Sequence, residues 1–414
     1  GRPGSKNNEI IISIGKECKM SGFTQWLSWL RWRGMILVPL CLIGILCLSQ
    51  PSFSAESSLS TLDNLRSQFA NPGPEYRGKP FWSWNGDLKE DELLRQIQVL
   101  QDMGMGGFFM HSRTGLQTEY LGEEWFRLIN RCSDEAEKRN LEAWLYDEDR
   151  WPSGTAGGMV TANPEYRLRF MTLRTLPAPE FQWTDDIVAA FSCHLDGVNY
   201  QDCQQIQKET PANSYKEKTV LVFSIEEMEK SPFYNGYTYV DTMNLDATKE
   251  FIRLTHEKYK ENCEPRIGNS IKGIFLDEPH RGAVLSSFGK SNSLPGVPWT
   301  AKLPEYFQER FHSDLIAQLP ELFLRPEGRA VSPVKWQYME LTQQLFLDHF
   351  AKPILDWCHA NGMLSTGHVL HEDSLTCQAA MQGSLMRFYE YMDNPGVDVL
   401  TEGKADAALA ASLF

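Results

Sequence analysis

Gly273-Ile-Phe-Leu-Asp-Glu-Pro279 is a short apolar run that ends abruptly in two carboxylates. Alone it reads as one buried strand. The same design recurs in Phe81-Trp-Ser-Trp-Asn-Gly86, Gly106-Gly-Phe-Phe-Met-His-Ser-Arg-Thr-Gly115 and Ala143-Trp-Leu-Tyr-Asp-Glu-Asp-Arg-Trp-Pro-Ser-Gly154. It returns in Leu364-Ser-Thr-Gly-His-Val-Leu-His-Glu-Asp373 and Val397-Asp-Val-Leu-Thr-Glu-Gly403. Parallel strands buried on both faces read as continuous apolar runs, and polar side chains at their C-terminal ends converge on one mouth of an α/β barrel. Six such runs with helical patterns between them predict an α/β chain built as a (β/α)8 TIM-type barrel, about six strands of which are present.

The intervening segments carry the helical period. Leu93, Leu94, Ile97, Leu100 and Met103 lie on one face of a helix predicted over 87–103, with acidic residues in the first turn and Gly104 as its stop. Trp125, Phe126, Ile129 and Cys132 do the same over 123–138. From 161 to 243 the rhythm changes to β-rich runs (167–176, 187–194, 219–225 and 237–241), which predicts an antiparallel β insertion after the third strand. Helices are expected again over 246–261, 304–311, 336–360 and roughly 375–388, and a long irregular stretch precedes the fifth strand. The organisation is therefore a leader over 1–55, a linker over 56–79, barrel over 80–160 and 244–402, the insertion over 161–243, and an atypical tail over 403–414. Six strands do not close an eight-stranded barrel, and an open one exposes strand edges. The chain is expected to be a piece of a longer protein.

Arg31 and Arg33 precede the apolar run from Met35 to Leu48, and a small-residue site follows at Ala55. That is the order of a secretory signal, and fourteen apolar residues are few for a membrane span. Export is expected, with membrane attachment only if the signal stays uncleaved. Residues 1–19 lie upstream of a reasonable start at Met20. Beyond residue 55 the chain has 34 basic and 52 acidic residues, a formal charge of −18. This argues against nucleic acid or an anionic membrane as a partner and fits an exported protein that handles neutral substrates. Six cysteines remain after residue 55; none has a zinc spacing, and Cys193 and Cys203 could pair in an oxidising compartment.

The chemistry-bearing residues sit at the strand ends. A carboxylate at the end of a buried strand is partly desolvated, which raises its pKa and suits Glu278, beside Asp277, to general-acid work. Glu372, near His368 and His371, is a candidate for the second carboxylate of a glycoside-cleaving pair. The two histidines read as substrate contacts before metal ligands. Asp147, Glu148 and Asp149 could hold a hard cation such as calcium, or equally fix Arg150 and the turn after it. His111 and Arg113 offer donors to sugar hydroxyls. Trp82 and Trp84 could stack on a sugar face, although core packing is the other reading for at least one of them.

These motifs together, with Gly157-Gly158 after the third strand, resemble glycoside hydrolase family 106, the α-L-rhamnosidase family, over about 80–402. The resemblance implies a (β/α)8 catalytic barrel, an inverting mechanism with two glutamates, calcium (Ca2+) helping to bind the sugar, and a rhamnose-containing carbohydrate as partner. Glu278 matches the acid by position. The base falls to Glu372, with Glu390 and Glu402 as the other glutamates near strand ends. Asp149, Arg150, Asp277, His111, Arg113, His368, His371, Trp82 and Trp84 would contact substrate. Two rival readings stay open: a non-catalytic glycan-binding or inactive product, and a barrel hydrolase acting on another sugar.

Overall fold

The computed structural model describes residues 55–286, 288–290 and 292–398. Two compact units divide the chain at residues 66 and 67. In the stretch expected to be a linker, residues 55–70 form helix α1 (Ala55–Ala70), on which Leu62, Leu65 and Phe69 are exposed. The expected signal segment lies outside the described residues. No described helix is long and apolar enough to cross a membrane.

The second unit is mixed α/β with two sheets. The first sheet is a curled half-barrel of parallel strands. Its strands are β1 (Phe81–Gly86), β2 (Gly107–Leu116), β3 (Glu142–Tyr146), β8 (Ile271–Asp277), β11 (Leu364–His368) and the two-residue β12 (Asn394–Pro395), side by side in that order. The second sheet holds β4 (Arg169–Pro177), β5 (Ile187–Asp196), β6 (Asn199–Ile206), β7 (Thr219–Glu227), β9 (Gly296–Trp299) and β10 (Arg325–Pro326). Five of the six apolar runs are thus strands at the expected places. At the sixth, Val397 and Asp398 are irregular, the pairing is made earlier at Thr366↔Asn394, and residues 399–414 with Glu402 lie outside the described residues.

Helices α2 (Glu90–Asp102) and α3 (Glu123–Lys138) connect β1, β2 and β3, and α3 buries Trp125, Phe126, Ile129 and Cys132 as expected. On the α2 stripe Leu93 and Ile97 are buried, Leu94 and Leu100 partly so, and Met103, just past the helix end, is exposed. The helix expected over 246–261 is two, α4 (Leu245–Leu254) and α5 (His256–Cys263), broken at Thr255, whose hydroxyl donates to the Phe251 carbonyl at 2.8 Å. Tyr259 on α5 accepts a hydrogen bond from Trp125 on α3 at 3.1 Å, so neighbouring connections are also tied to each other.

Side-chain parity decides what faces the barrel interior. In-register neighbours in a sheet point the same way. The pairs Phe81↔Phe109, Ser83↔His111, Phe109↔Trp144, Tyr146↔Phe275 and Asp277↔His368 therefore form one continuous inner face. Its rings touch: Phe81 and Phe275 lie 4.6 Å apart edge-on, and His111 and Tyr146 lie 3.8 Å apart. The other parity carries Trp82, Trp84, Phe108, Met110, Leu145 and Ile274 into the core beneath the helices. This corrects the expectation that Trp82 and Trp84 stack on substrate. Trp84 is 1% exposed and packs on Trp125, while Trp82 packs on Trp84 and donates to Gln96 at 2.6 Å.

The second sheet is antiparallel through β6, β5, β7, β4 and β9, with β10 joining β6 in parallel. It extends beyond 161–243, because β9 and β10 come from the stretch read as irregular. Strand β6 was missed because it is polar and largely exposed, with no apolar alternation to read. The run 237–241 makes only isolated bridges, Arg167↔Val240 and Ser231↔Tyr237. One face of this sheet, with Met171, Phe191 and Phe223, packs on helices over 303–311, 319–323 and 333–346. Cys193 on β5 and Cys203 on β6 are free thiols.

Backbone proximity leaves no side-chain space at Gly273 on β8. A Cβ there would lie 2.3 Å from the Leu364 carbonyl oxygen and 2.3 Å from the Trp144 ring. Overpacking at such a site costs about 1–3 kcal/mol, occasionally more. Gly273→Ala is expected to lower the thermal unfolding midpoint, and a melt coincident with wild type would contradict this packing.

Candidate functional site

The register Asp277↔His368 sets a carboxylate and an imidazole side by side at the C-terminal ends of β8 and β11. His368 Nε2 lies 2.9 Å from Asp277 Oδ1, and the Tyr146 hydroxyl on β3 donates to Asp277 Oδ2 at 2.6 Å. Three adjacent strand ends are thereby joined through one carboxylate. The Asp277 N–H donates to Ser153 Oγ at 2.8 Å, which anchors the loop after β3 to the same point.

Glu278 follows with a left-handed backbone, φ 49°, held by its N–H bond to the His368 carbonyl at 3.1 Å. His371 is also left-handed, φ 58°. Neither is a glycine, and such conformations persist only where surrounding contacts enforce them, which is common at functional sites. Both side chains line a cavity of about 500 Å³. Asp277, Glu278, His368 and Asp398 form its acidic end; Phe81, Ser83, His111 and Arg113 form one side, and Trp151, Leu370 and His371 the other.

The expected residues divide cleanly by this cavity. Asp277, Glu278, His368, His371, His111 and Arg113 come together on its wall. Asp149 and Arg150 do not line it: Asp149 accepts from Ser112 Oγ at 3.1 Å and from Arg150 at 2.8 Å, and Arg150 also reaches Asn235 Oδ1 at 3.3 Å. Glu148 accepts backbone N–H groups from Asp149, Gly154, Thr155, Ala156 and Gly157. Asp147 accepts from Ser153 Oγ. Glu148 and Asp149 thus place their oxygens on protein donors and help fix the turn that carries Trp151, while Asp147 Oδ2 is buried with no protein partner among the described residues. Glu372 is buried behind the wall. Its Oε1 accepts from the Tyr389 hydroxyl at 3.0 Å and its Oε2 from the Asp398 N–H at 2.7 Å.

Asp398, Trp151, Ser83, Phe81 and Leu370 are wall residues that the sequence did not single out. Strand parity identifies Ser83, because it pairs with His111. Asp398 stands in the sixth run, four residues before the glutamate that drew notice. Nothing local marks Leu370 or Trp151.

Charge in this pocket is uneven. Burial disfavours the charged form of Asp277, but His368, Tyr146 and His111 outweigh it and hold the carboxyl below its ordinary range. Burial likewise opposes protonation of His368, yet Asp277, Glu372 and Asp398 together hold its pKa above the ordinary imidazole value. Glu278 is pushed up to about 7, first by burial and then by the negative charge of Asp277. Burial pulls His111 down to about 4, and neither of its buried ring nitrogens has a protein partner among the described residues. A buried neutral imidazole with neither nitrogen bonded keeps one donor and one acceptor unspent beside the cavity it lines.

Among the described residues, Glu278, His368 and Asp398 offer ligand atoms within 4.8 Å of one another, close enough to share an ion. Calcium prefers six to eight oxygen ligands, so one imidazole and two carboxylates fit it poorly, and His368 Nε2 already lies against Asp277.

The chain is similar in structure to the rhamnosidase from Novosphingobium sp. PP1Y, with a TM-score of 0.52 and 13% sequence identity over 80% of this chain and 49% of that one. The chain thus spans about half the length of that protein, and the likeness is one of fold alone. No family model and no curated protein matches the sequence.

Replacing Asp277 with Asn removes the negative charge between His368 and Glu278. The His368 pKa is expected to fall and the Glu278 pKa to fall with it, read by imidazole and carboxyl NMR titrations of the two proteins. Unchanged titrations would refute the coupling.

Proposed function

We propose that this chain is the catalytic-barrel part of an exported glycoside hydrolase that removes terminal α-L-rhamnosyl residues, and that Glu278 is its proton donor. The carrying observation is a carboxyl raised to about 7 on the wall of a cavity that also offers His111, Arg113 and His371 to a sugar. A general acid works best when its pKa lies near the operating pH. Glycosidic cleavage needs such an acid on the leaving oxygen and a second carboxylate for water or for the sugar. The (β/α)8 architecture and the inverting course are what the resemblance to family 106 implies, and the choice of rhamnose is supported by that resemblance together with the fold likeness to a rhamnosidase. The exported character rests on the order of charge, apolar run and small residues before residue 56.

Asp277 is the fixed anion of this scheme. Tyr146 and His368 keep it ionised, and burial first, then its charge with smaller contributions from Asp398 and Glu372, keeps the proton on Glu278. Asp398 is not the inverting base: its carboxylate comes within 4.8 Å of that of Glu278, whereas inverting pairs stand about 6.5–9.5 Å apart to admit water. Glu372 takes that role. The Tyr389 hydroxyl and the Asp398 N–H occupy one site on each oxygen and leave acceptor sites for a water arriving past Asp398. Calcium is implied by the family resemblance, but a Glu278 that donates a proton cannot at the same time bind a cation between itself, His368 and Asp398.

Turnover of aryl α-L-rhamnosides is expected to fall as pH rises through about 7, because Glu278 then loses the proton it must donate. Glu278→Gln is expected to lower the rate on a 4-methoxyphenyl rhamnoside by about a hundred- to ten-thousandfold. It should spare most of the rate on a 2,4-dinitrophenyl rhamnoside, whose leaving group needs no proton. Equal losses on both substrates would remove Glu278 from the acid role. Proton NMR of the first-formed sugar tests the rest: the β-anomer supports inversion, and the α-anomer excludes Glu372 as an inverting base.

A further inference from the structure

A second and larger cleft, of about 790 Å³, opens directly beside the acidic cavity. The two share Trp151, Leu370 and His371, so they are compartments of one groove. Their chemistries differ. The smaller compartment presents Ser83, His111, Arg113 and three carboxylic acids. The larger is walled by Met228, Phe233, Phe288 and the shared Trp151 and Leu370, with Lys230 and Lys290 among the few charged groups. Trp151 and Phe233 pack with ring centroids 5.0 Å apart at 58°, and Phe233 meets Tyr234 edge-on at 5.1 Å. This wall is assembled from the loop after β3, the segment after β7, the segment after β8 and the segment after β11, so four connections converge to build it.

A sugar-binding compartment needs donors and acceptors for several hydroxyls. The larger cleft has aromatic and aliphatic walls from more than one side, which suits a flat apolar ligand with few polar groups. We infer that it is the leaving-group compartment and that it takes an aromatic aglycone, so that the natural substrate is an aryl glycoside rather than a sugar within a polysaccharide. The inference rests on the glycoside-hydrolase reading for what the ligand is attached to. Its own support is the continuity of the cleft with the acidic cavity and the contrast between the two linings. Lys230 is exposed on the lining, and Lys290, half-buried, donates to the Leu294 carbonyl and lies 5.9 Å from the face of Phe170. The exposed Lys230 ammonium on this lining is the group that would favour an aglycone carrying an acidic substituent.

Tryptophan-fluorescence titrations of the full chain with 1-naphthol, 1-naphthalenesulfonate and, separately, L-rhamnose test this. Both aryl probes should bind, the sulfonate more tightly. Phe233→Ala should weaken both by about tenfold, the scale of one aromatic partner in a packed site. Lys230→Glu, on an exposed side chain that does not support the core, should abolish the preference for the sulfonate and leave naphthol unchanged. Rhamnose affinity should be unaffected by either change. Absence of aryl binding in wild type overturns the inference, as does equal aryl binding in a folded Phe233→Ala protein or a sulfonate preference that survives Lys230→Glu. Aryl binding with these responses but no rhamnose binding would uphold the cleft and sink the rhamnosidase reading instead.

Discussion

The arrangement depends on one buried ion pair, Asp277 with His368, at the ends of two neighbouring parallel strands. Both side chains are almost wholly withdrawn from water, and charges in such a setting are tolerated only when paired and hydrogen-bonded. Tyr146 adds its hydroxyl from β3 and Ser153 accepts the Asp277 N–H, so the pair also clamps a third strand and the following loop. The electrostatic consequence falls on the next residue. An anion fixed by its neighbours is a standing reason for the adjacent Glu278 to keep its proton, and the left-handed backbone at Glu278 turns that side chain toward the cavity.

The loop after β3 shows how much structure this geometry needs. Glu148 gathers five backbone N–H groups, and Asp149 is held by Ser112 and Arg150. None of these acids reaches the cavity; together they hold the turn that brings Trp151 to the boundary between its polar and apolar compartments. Glu372 is held in place in its turn by the Tyr389 hydroxyl on one oxygen and the Asp398 N–H on the other. An acid-rich sequence thus divides into carboxylates that face the cavity and carboxylates that position its wall.

Much of this was legible in the residues because parallel strands announce themselves as uninterrupted apolar runs, and the acids and histidines that end them stand at predictable heights. Asp277, Glu278, His368, His111 and Arg113 were found that way. What was lost followed from physics that the runs do not display. Trp82 and Trp84 share a strand with Ser83 but have the opposite parity, and only the register with β2 tells which parity faces inward. Strand β6 is polar because it is largely exposed, so it left no hydrophobic signature. Leu370 and Trp151 reach the cavity through long-range packing, which no local pattern encodes.

The central claim is that Glu278 holds a proton near neutrality because a fixed anion stands beside it in a buried setting. Carboxyl carbon-13 NMR of the wild-type protein, with Glu278 assigned and titrated from pH 4 to 9, tests it most directly. The account predicts a midpoint near 7 for this group. A midpoint in the ordinary glutamate range, about 4.3, would contradict it.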